Sequence, residues 1–199
     1  MNRETLHHNT LHDAKWMRLI SVDVAEKGTS RWIYVTRAPE GKMKNPFIAD
    51  AAVIVPLHID SIGRKSLVIT KEFRYPIDDY EWGFPAGLID KGEDATDAAI
   101  RELREETGYE TISVYRESPP VLSSAGLSDE TTSMVYVLCG GPDGKQQLEE
   151  TEEIEVRRYG IEGLKELMKD REKKWSCKAW PIIDMIVRTG SFDCIERAE

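Results

Sequence analysis

The stretch that decides the fold is Gly87-Leu88-Ile89-Asp90-Lys91-Gly92-Glu93 followed by Asp94-Ala95-Thr96-Asp97-Ala98-Ala99-Ile100-Arg101-Glu102-Leu103-Arg104-Glu105-Glu106-Thr107-Gly108-Tyr109. Its second half has strong helix formers, no proline, and a glycine placed to end a helix in the left-handed conformation, so a helix is predicted over Asp94 to Thr107. On that helix Glu102 is three residues from Glu105 and four from Glu106, so the three carboxylates leave from one face. Like charges crowded in this way destabilise a helix unless water, arginines or cations neutralise them. Arg101 is spaced to pair with Glu105, and the helix taken alone also has the pattern of a solvated charged face. In the preceding loop, Gly87 and Gly92 permit positive φ and close backbone approach, Leu88 and Ile89 can anchor the loop on a core, and Glu93 adds another carboxylate.

Taken together, Gly87, five residues, Glu93, seven residues and then Arg101-Glu102-Leu103-Arg104-Glu105-Glu106-Thr107-Gly108-Tyr109 satisfy every position of G-x5-E-x7-R-E-U-x-E-E-x-G-U, with U bulky and apolar or aromatic. Seven fixed letters and two constrained positions make the segment resemble the box of the Nudix hydrolases, with far more specificity than a lone glycine motif. The resemblance implies an α/β fold, a Nudix α/β/α sandwich with a mixed β-sheet, in which the box forms a loop-helix-loop holding Mg2+ or Mn2+. It also implies that Glu102 and Glu106 are the principal metal ligands, with Glu105 supporting and the backbone carbonyl of Ala86 as a further ligand. Arg101 would then orient a glutamate and Glu93 would brace the loop. Hard oxygen donors suit Mg2+, which also takes up substrate phosphates, polarises a phosphoryl oxygen and lowers the pKa of water.

The flanks narrow the branch. Lys71-Glu72-Phe73-Arg74-Tyr75-Pro76 and Glu81-Trp82-Gly83-Phe84-Pro85-Ala86-Gly87-Leu88-Ile89-Asp90 resemble the QFR-x-P and E-x-PAGLID pattern of ADP-ribose and ADP-sugar pyrophosphatases, with Glu81 displaced from the usual acid before PAG. By this resemblance Arg74 clamps a diphosphate, a task that suits a planar, always-charged guanidinium; the alternative is a surface pair with Asp78 or Asp79. Lys15-Trp16-Met17-Arg18-Leu19 and Arg31-Trp32-Ile33-Tyr34-Val35-Thr36-Arg37 are similar to the N-terminal strands of the same branch. There two tryptophans, one from each subunit of a swapped homodimer, sandwich adenine. The resemblance therefore places Trp16 and Trp32 on the base and Arg37 near a phosphate, while core packing is the other reading of strand tryptophans. Ala125 stands where the branch often has a proline associated with ADP-ribose specificity. Glu149-Glu150-Thr151-Glu152-Glu153-Ile154-Glu155-Val156 resembles the E-x-I-E-V element after a mobile acidic loop, which puts Glu152 at the position of the water-activating glutamate, with Glu149, Glu150 and Glu153 as substitutes.

The rest of the chain bounds these readings. It has 199 residues, 40% hydrophobic and 32% charged, with a net charge of −9. That allows one substantial core and lacks the basic footprint of a nucleic acid binder. No apolar leader or membrane-length run occurs, so a cytoplasmic protein without a membrane partner is expected. Cys139, Cys177 and Cys194 have neither zinc nor disulfide spacing, so they read as reduced packing thiols. His7, His8 and His12 read as part of a mobile polar terminus. Strands are predicted over Met17 to Val24 and Arg31 to Arg37, joined as a hairpin through the turn at 26–30, and over Ala51 to Leu57, Ser66 to Phe73, Val114 to Tyr115, Ser133 to Cys139 and Ile154 to Tyr159. Two amphipathic helices are predicted over Ile161 to Lys174 and Pro181 to Arg188.

The expected organisation is an N-terminal β extension over 1–50, for dimerisation and nucleobase binding, and a Nudix hydrolase domain over 51–199. The expected reaction is Mg2+-dependent hydrolysis of ADP-ribose or a related ADP-sugar to AMP and a sugar phosphate. The alternatives are a pyrophosphatase for a GDP- or UDP-hexose and a non-catalytic ADP-ribose sensor.

Overall fold

The computed structural model describes residues 7–23, 31–40, 42 and 44–196. The chain forms two compact units, one of residues 1–50 with 119–132 and a larger one of 51–118 with 133–199. The smaller unit therefore also recruits an inner segment, which the expected division at residue 50 did not include.

In the smaller unit, β1 (His7–Asp13), β2 (Arg18–Asp23) and β3 (Arg31–Thr36) form an antiparallel sheet in that order. The histidine stretch is thus a strand rather than a mobile terminus. Its side chains are all exposed, so backbone pairing to β2 orders it without any apolar alternation that a reading of the sequence could detect. Val24 and the turn at 26–30 lie outside the described residues. Within the same unit Val35 donates to the Leu127 carbonyl at 2.9 Å, and Thr36 Oγ1 donates to Asp129 at 2.8 Å.

In the larger unit the order is β4 (Ala51–Ile59), β5 (Lys65–Arg74), a 3-10 turn at Tyr75–Ile77, β6 (Asp79–Gly83), β7 (Ala86–Leu88), α1 (Ala95–Thr107) and β8 (Glu110–Glu117). After the short β9 (Val121–Leu122) of the smaller unit come β10 (Thr131–Gly140), β11 (Ile154–Tyr159), α2 (Ile161–Lys169), β12 (Lys174–Trp175), α3 (Ala179–Thr189) and α4 (Asp193–Glu196). The sheet runs β12-β6-β5-β4-β10-β8, with β11 also on β5 and β7 also on β4. It is mixed, since β12 is parallel to β6 whereas β4, β5 and β6 pair antiparallel.

Alternation along the strands builds the sandwich, because successive side chains point to opposite faces. Ala52 and Ile54 of β4, Val68 of β5 and Val135 and Val137 of β10 pack with Ala98, Ala99 and Leu103 of α1. Val53, Val55 and Leu57, with Leu67 and Ile69, pack with Leu164 of α2 and Ile183 and Ile186 of α3. No helix among the described residues is long and apolar enough to cross a membrane.

Helix α1 has Asp94 as its N-cap, with the Asp94 carboxylate accepting from the Asp97 amide at 2.8 Å, and Gly108 at φ 73° behind its last turn. Helix α2 stops five residues before the expected Lys174 because Asp170 bonds locally to the Glu172 amide and the Lys173 ammonium, offering the backbone a turn instead of another helical turn. In α3, which begins before Pro181, the proline sits in the first turn, where its missing N–H has no intrahelical partner to lose.

Candidate active site

The box glutamates converge where α1 meets the loop that precedes it. Glu106 is 3% exposed, and its Oε2 accepts from the Ala86 amide at 3.1 Å. Burial, followed by the nearby charges of Glu72 and Glu102, holds its pKa well above the usual carboxylate range. Glu102, half-buried, is shifted upward by burial against the opposing pull of Arg101. Gly87 is needed for Glu102 to sit there. A Cβ at this position would lie 2.0 Å from the Glu102 carboxylate carbon, so any side chain would fill the space the carboxylate occupies.

Arg101 ties the cluster together. Its Nε and Nη2 each donate to Glu93 at 2.9 Å, Nη1 donates to Glu102 at 2.6 Å and Glu105 at 3.3 Å, and Nη2 also reaches the Leu88 carbonyl at 2.9 Å. The bidentate bond to Arg101 depresses the Glu93 pKa, and Glu93 also accepts from the Asp90 amide at 3.1 Å, which closes the loop on itself. The solvated-face alternative does not describe this helix, because Glu106 is buried and Arg101 is shared among three glutamates.

Glu72 was not singled out from the sequence. It lies on β5 directly opposite Glu81 of β6, and burial raises its pKa to about 7, with the charges of Glu81 and Glu152 acting in the same direction and Arg74 opposing. The signal was available in principle, because strand parity puts residue 72 on the same face as Arg74. Arg74 pairs with Glu72 at 2.5 Å and Glu81 at 3.1 Å, so its partners are neither Asp78 nor Asp79. The cross-strand register sets that choice. The displaced Glu81 thereby has a contact of its own.

Glu152 is half-buried before β11, where its carboxylate accepts from the Glu149 amide at 2.8 Å. Its charge is felt by Glu72, Glu102 and Glu106 alike, which brings it electrostatically into the cluster. Neighbouring Glu153 instead accepts from the Tyr80 hydroxyl.

In the smaller unit, Trp16 is 68% exposed and Trp32 56% exposed, so neither is a core residue. Lys15 lies 4.4 Å over the Trp16 ring, and Arg37 pairs with Glu130 at 3.2 Å.

Among the described residues no three His, Cys, Asp or Glu side chains already form a closed metal-binding group. The donor set nevertheless fits a hard divalent cation. Several carboxylates share one field and the most buried of them is strongly disfavoured as an anion, which a cation bound by oxygen ligands would relieve.

Comparisons with known proteins agree with this geometry. A model of the NUDIX domain matches residues 49–180. The chain is 41% identical over 95 residues to the ADP-sugar pyrophosphatase of Mus musculus, a stretch covering 48% of this chain and 43% of that protein, so the chain spans less than half of that relative's length. It is 30% identical over 139 residues to the ADP-ribose pyrophosphatase of Bacillus subtilis, covering 67% of this chain and 72% of that protein. The solved structure of an ADP compounds hydrolase superposes with a TM-score of 0.62 at 20% identity, covering 93% of this chain and 92% of the other, a likeness of fold alone. With the family model spanning most of the sequence and the box glutamates gathered between a glycine loop and one helix of an α/β/α sandwich, the chain belongs to the NUDIX domain family.

Proposed function

We propose that the protein hydrolyses the diphosphate linkage of ADP-ribose or a related ADP-sugar, adding water across one P–O bond to release AMP and a sugar phosphate. The observation that carries the reading is the buried Glu106, sharing one field with Glu72, Glu102 and Glu152 beside a loop bound by Arg101. Relatives named for ADP-ribose and ADP-sugar cleavage support the substrate class.

In this reading Glu102 and Glu106 hold Mg2+, with Glu105 and the Ala86 carbonyl contributing; Mn2+ is the substitute. When bound, the ion neutralises the diphosphate and acidifies water near it. Arg101 aims Glu102 and Glu105 through its hydrogen bonds, while Glu93 fixes the guanidinium. Glu152 accepts the proton of the attacking water at its carboxylate. Arg74 exchanges a carboxylate partner for a substrate phosphate, a contact that suits a guanidinium. Trp16 and Trp32, exposed and flat, stack the adenine, and Arg37 meets a phosphate. The protein acts as a cytoplasmic homodimer on a small nucleotide sugar, without nucleic acid or membrane partners. Its first 50 residues serve dimerisation and base binding, and residues 51–199 serve hydrolysis.

The test is a panel of ADP-ribose, ADP-glucose, GDP-mannose and UDP-glucose incubated with Mg2+ or with EDTA, with the monophosphates separated by chromatography. AMP release that needs Mg2+ and is strongest from ADP-ribose or ADP-glucose is expected. Preference for the GDP or UDP sugars, the outcome that Ala125 leaves open, would keep the carboxylate site and remove the tryptophan stacking. Binding of ADP-ribose without turnover would mark a sensor.

A further inference from the structure

The C-terminal segment, to which the sequence reading attached no function, forms one wall of a recess of about 110 Å3. Glu72, Arg74, Glu81 and Ala86 line the same recess, which therefore opens beside the carboxylate cluster, and Ser176 and Lys178 line it from the other side. The segment is fixed there by backbone bonds. Strand β12 pairs with β6, the Ser176 amide donates to the Trp82 carbonyl at 2.9 Å, and the Ser176 carbonyl accepts from the amides of Ala179 and Trp180. Gly83 permits the approach, because a Cβ on it would meet Ser176 Cβ at 3.2 Å.

The charges of the recess are unequally engaged. Arg74 is neutralised by Glu72 and Glu81, whereas Lys178 has no carboxylate within ion-pair distance among the described residues. Lys178 is half-buried, and its backbone is held at the start of α3 with the amide donating to Ser176 Oγ at 3.4 Å. A flexible ammonium with three donors and no carboxylate partner among the described residues, on a wall of a recess that also holds Glu72 and Glu81, has the chemistry of a phosphate binder.

We propose that Lys178 is a substrate-binding residue whose ammonium takes a phosphoryl oxygen of the diphosphate. This rests on the nucleotide-sugar reading above. It makes the C-terminal segment part of the site and assigns phosphate binding to a cation that need not first release two carboxylates.

The experiment is steady-state kinetics of the full chain with Mg2+ and the best substrate of the panel, comparing wild type, Lys178→Met and Lys178→Arg, with a melting temperature for each. Removing one charged contact should raise KM about tenfold in Lys178→Met. kcat should stay within about twofold, the melting temperature should not change, and Lys178→Arg should recover most of the loss. An unchanged KM in Lys178→Met would overturn the proposal while leaving the proposed function standing. So would a fall in kcat accompanied by a lower melting temperature, which marks a structural residue. A wild type that turns over no nucleotide sugar would remove the functional reading itself, and the role of Lys178 with it.

Discussion

The two regions proposed to meet the substrate hold their side chains in opposite ways. Around α1 the polar groups are locked to one another: Arg101 donates five hydrogen bonds, and Glu106 is buried against the Ala86 amide. On the smaller sheet Trp16 and Trp32 stand in solvent. A carboxylate cluster has to be positioned before its ligand arrives, because reorganising buried charge is costly in a low dielectric. Exposed aromatic faces need no such preparation and gain their energy when a base covers them. The first region should therefore fail through geometry and the second through affinity.

The largest effect is expected from Glu106→Gln. The side chain keeps its shape and the amide carbonyl can still accept from Ala86, so the fold should persist by circular dichroism. The loss of a ligand charge should lower Mg2+-dependent kcat by more than about 100-fold, since losing even an outer partner of a metal site costs about 10- to 100-fold. Activity near wild type would remove Glu106 from the metal-holding set and leave the contrast between the regions without its first half.

Gly87→Ala separates geometry from stability. The added methyl would overlap the Glu102 carboxylate, which is the far end of a flexible side chain and can swing away. The melting temperature should change little, while turnover should fall about 10- to 100-fold as Glu102 leaves its place beside Arg101. A variant with full activity would mean that the position of Glu102 in the free protein is not the one used for catalysis.

That contrast also explains what was legible in the sequence. The box was readable because its chemistry is local: one helix and the loop before it carry every group that Arg101 binds, and helical spacing fixes their shared face. Glu72, the partners of Arg74 and the position of Ser176 were not readable, because each depends on which residue lies across a strand pair, and a turn or a distant segment sets that register. Strand β1 was missed for a simpler reason. His7–Asp13 is exposed on every residue and carries no alternation to detect. The early end of α2 was written in Asp170, whose side chain competes for the backbone, but choosing between a helical and a turning Asp requires the neighbouring Lys173 to be in place.

Trp16→Ala and Trp32→Ala test the second region. Base stacking is worth about 1 to 3 kcal/mol per base, so each variant should raise KM for ADP-ribose by roughly tenfold with kcat preserved. Because both rings are largely exposed, stability should move little. If both variants keep the wild-type KM, adenine is not held by these rings and the contrast reduces to a built site and an exposed surface of no consequence for the substrate.

The smallest effect sharpens the comparison from within α1. Asp94→Ala removes the N-cap bond to the Asp97 amide and touches none of the carboxylates. Loss of a cap costs about 1 kcal/mol, which corresponds to roughly 2 to 4 °C in melting temperature for a chain of this size. If the Arg101 network positions the glutamates, kcat/KM with Mg2+ should match wild type well below the melting temperature, because each of those bonds survives a frayed first turn. A tenfold loss of kcat/KM at unchanged secondary structure would instead show that the helix start sets the placement of Glu102 and Glu106, and that Arg101 follows the helix rather than fixing it.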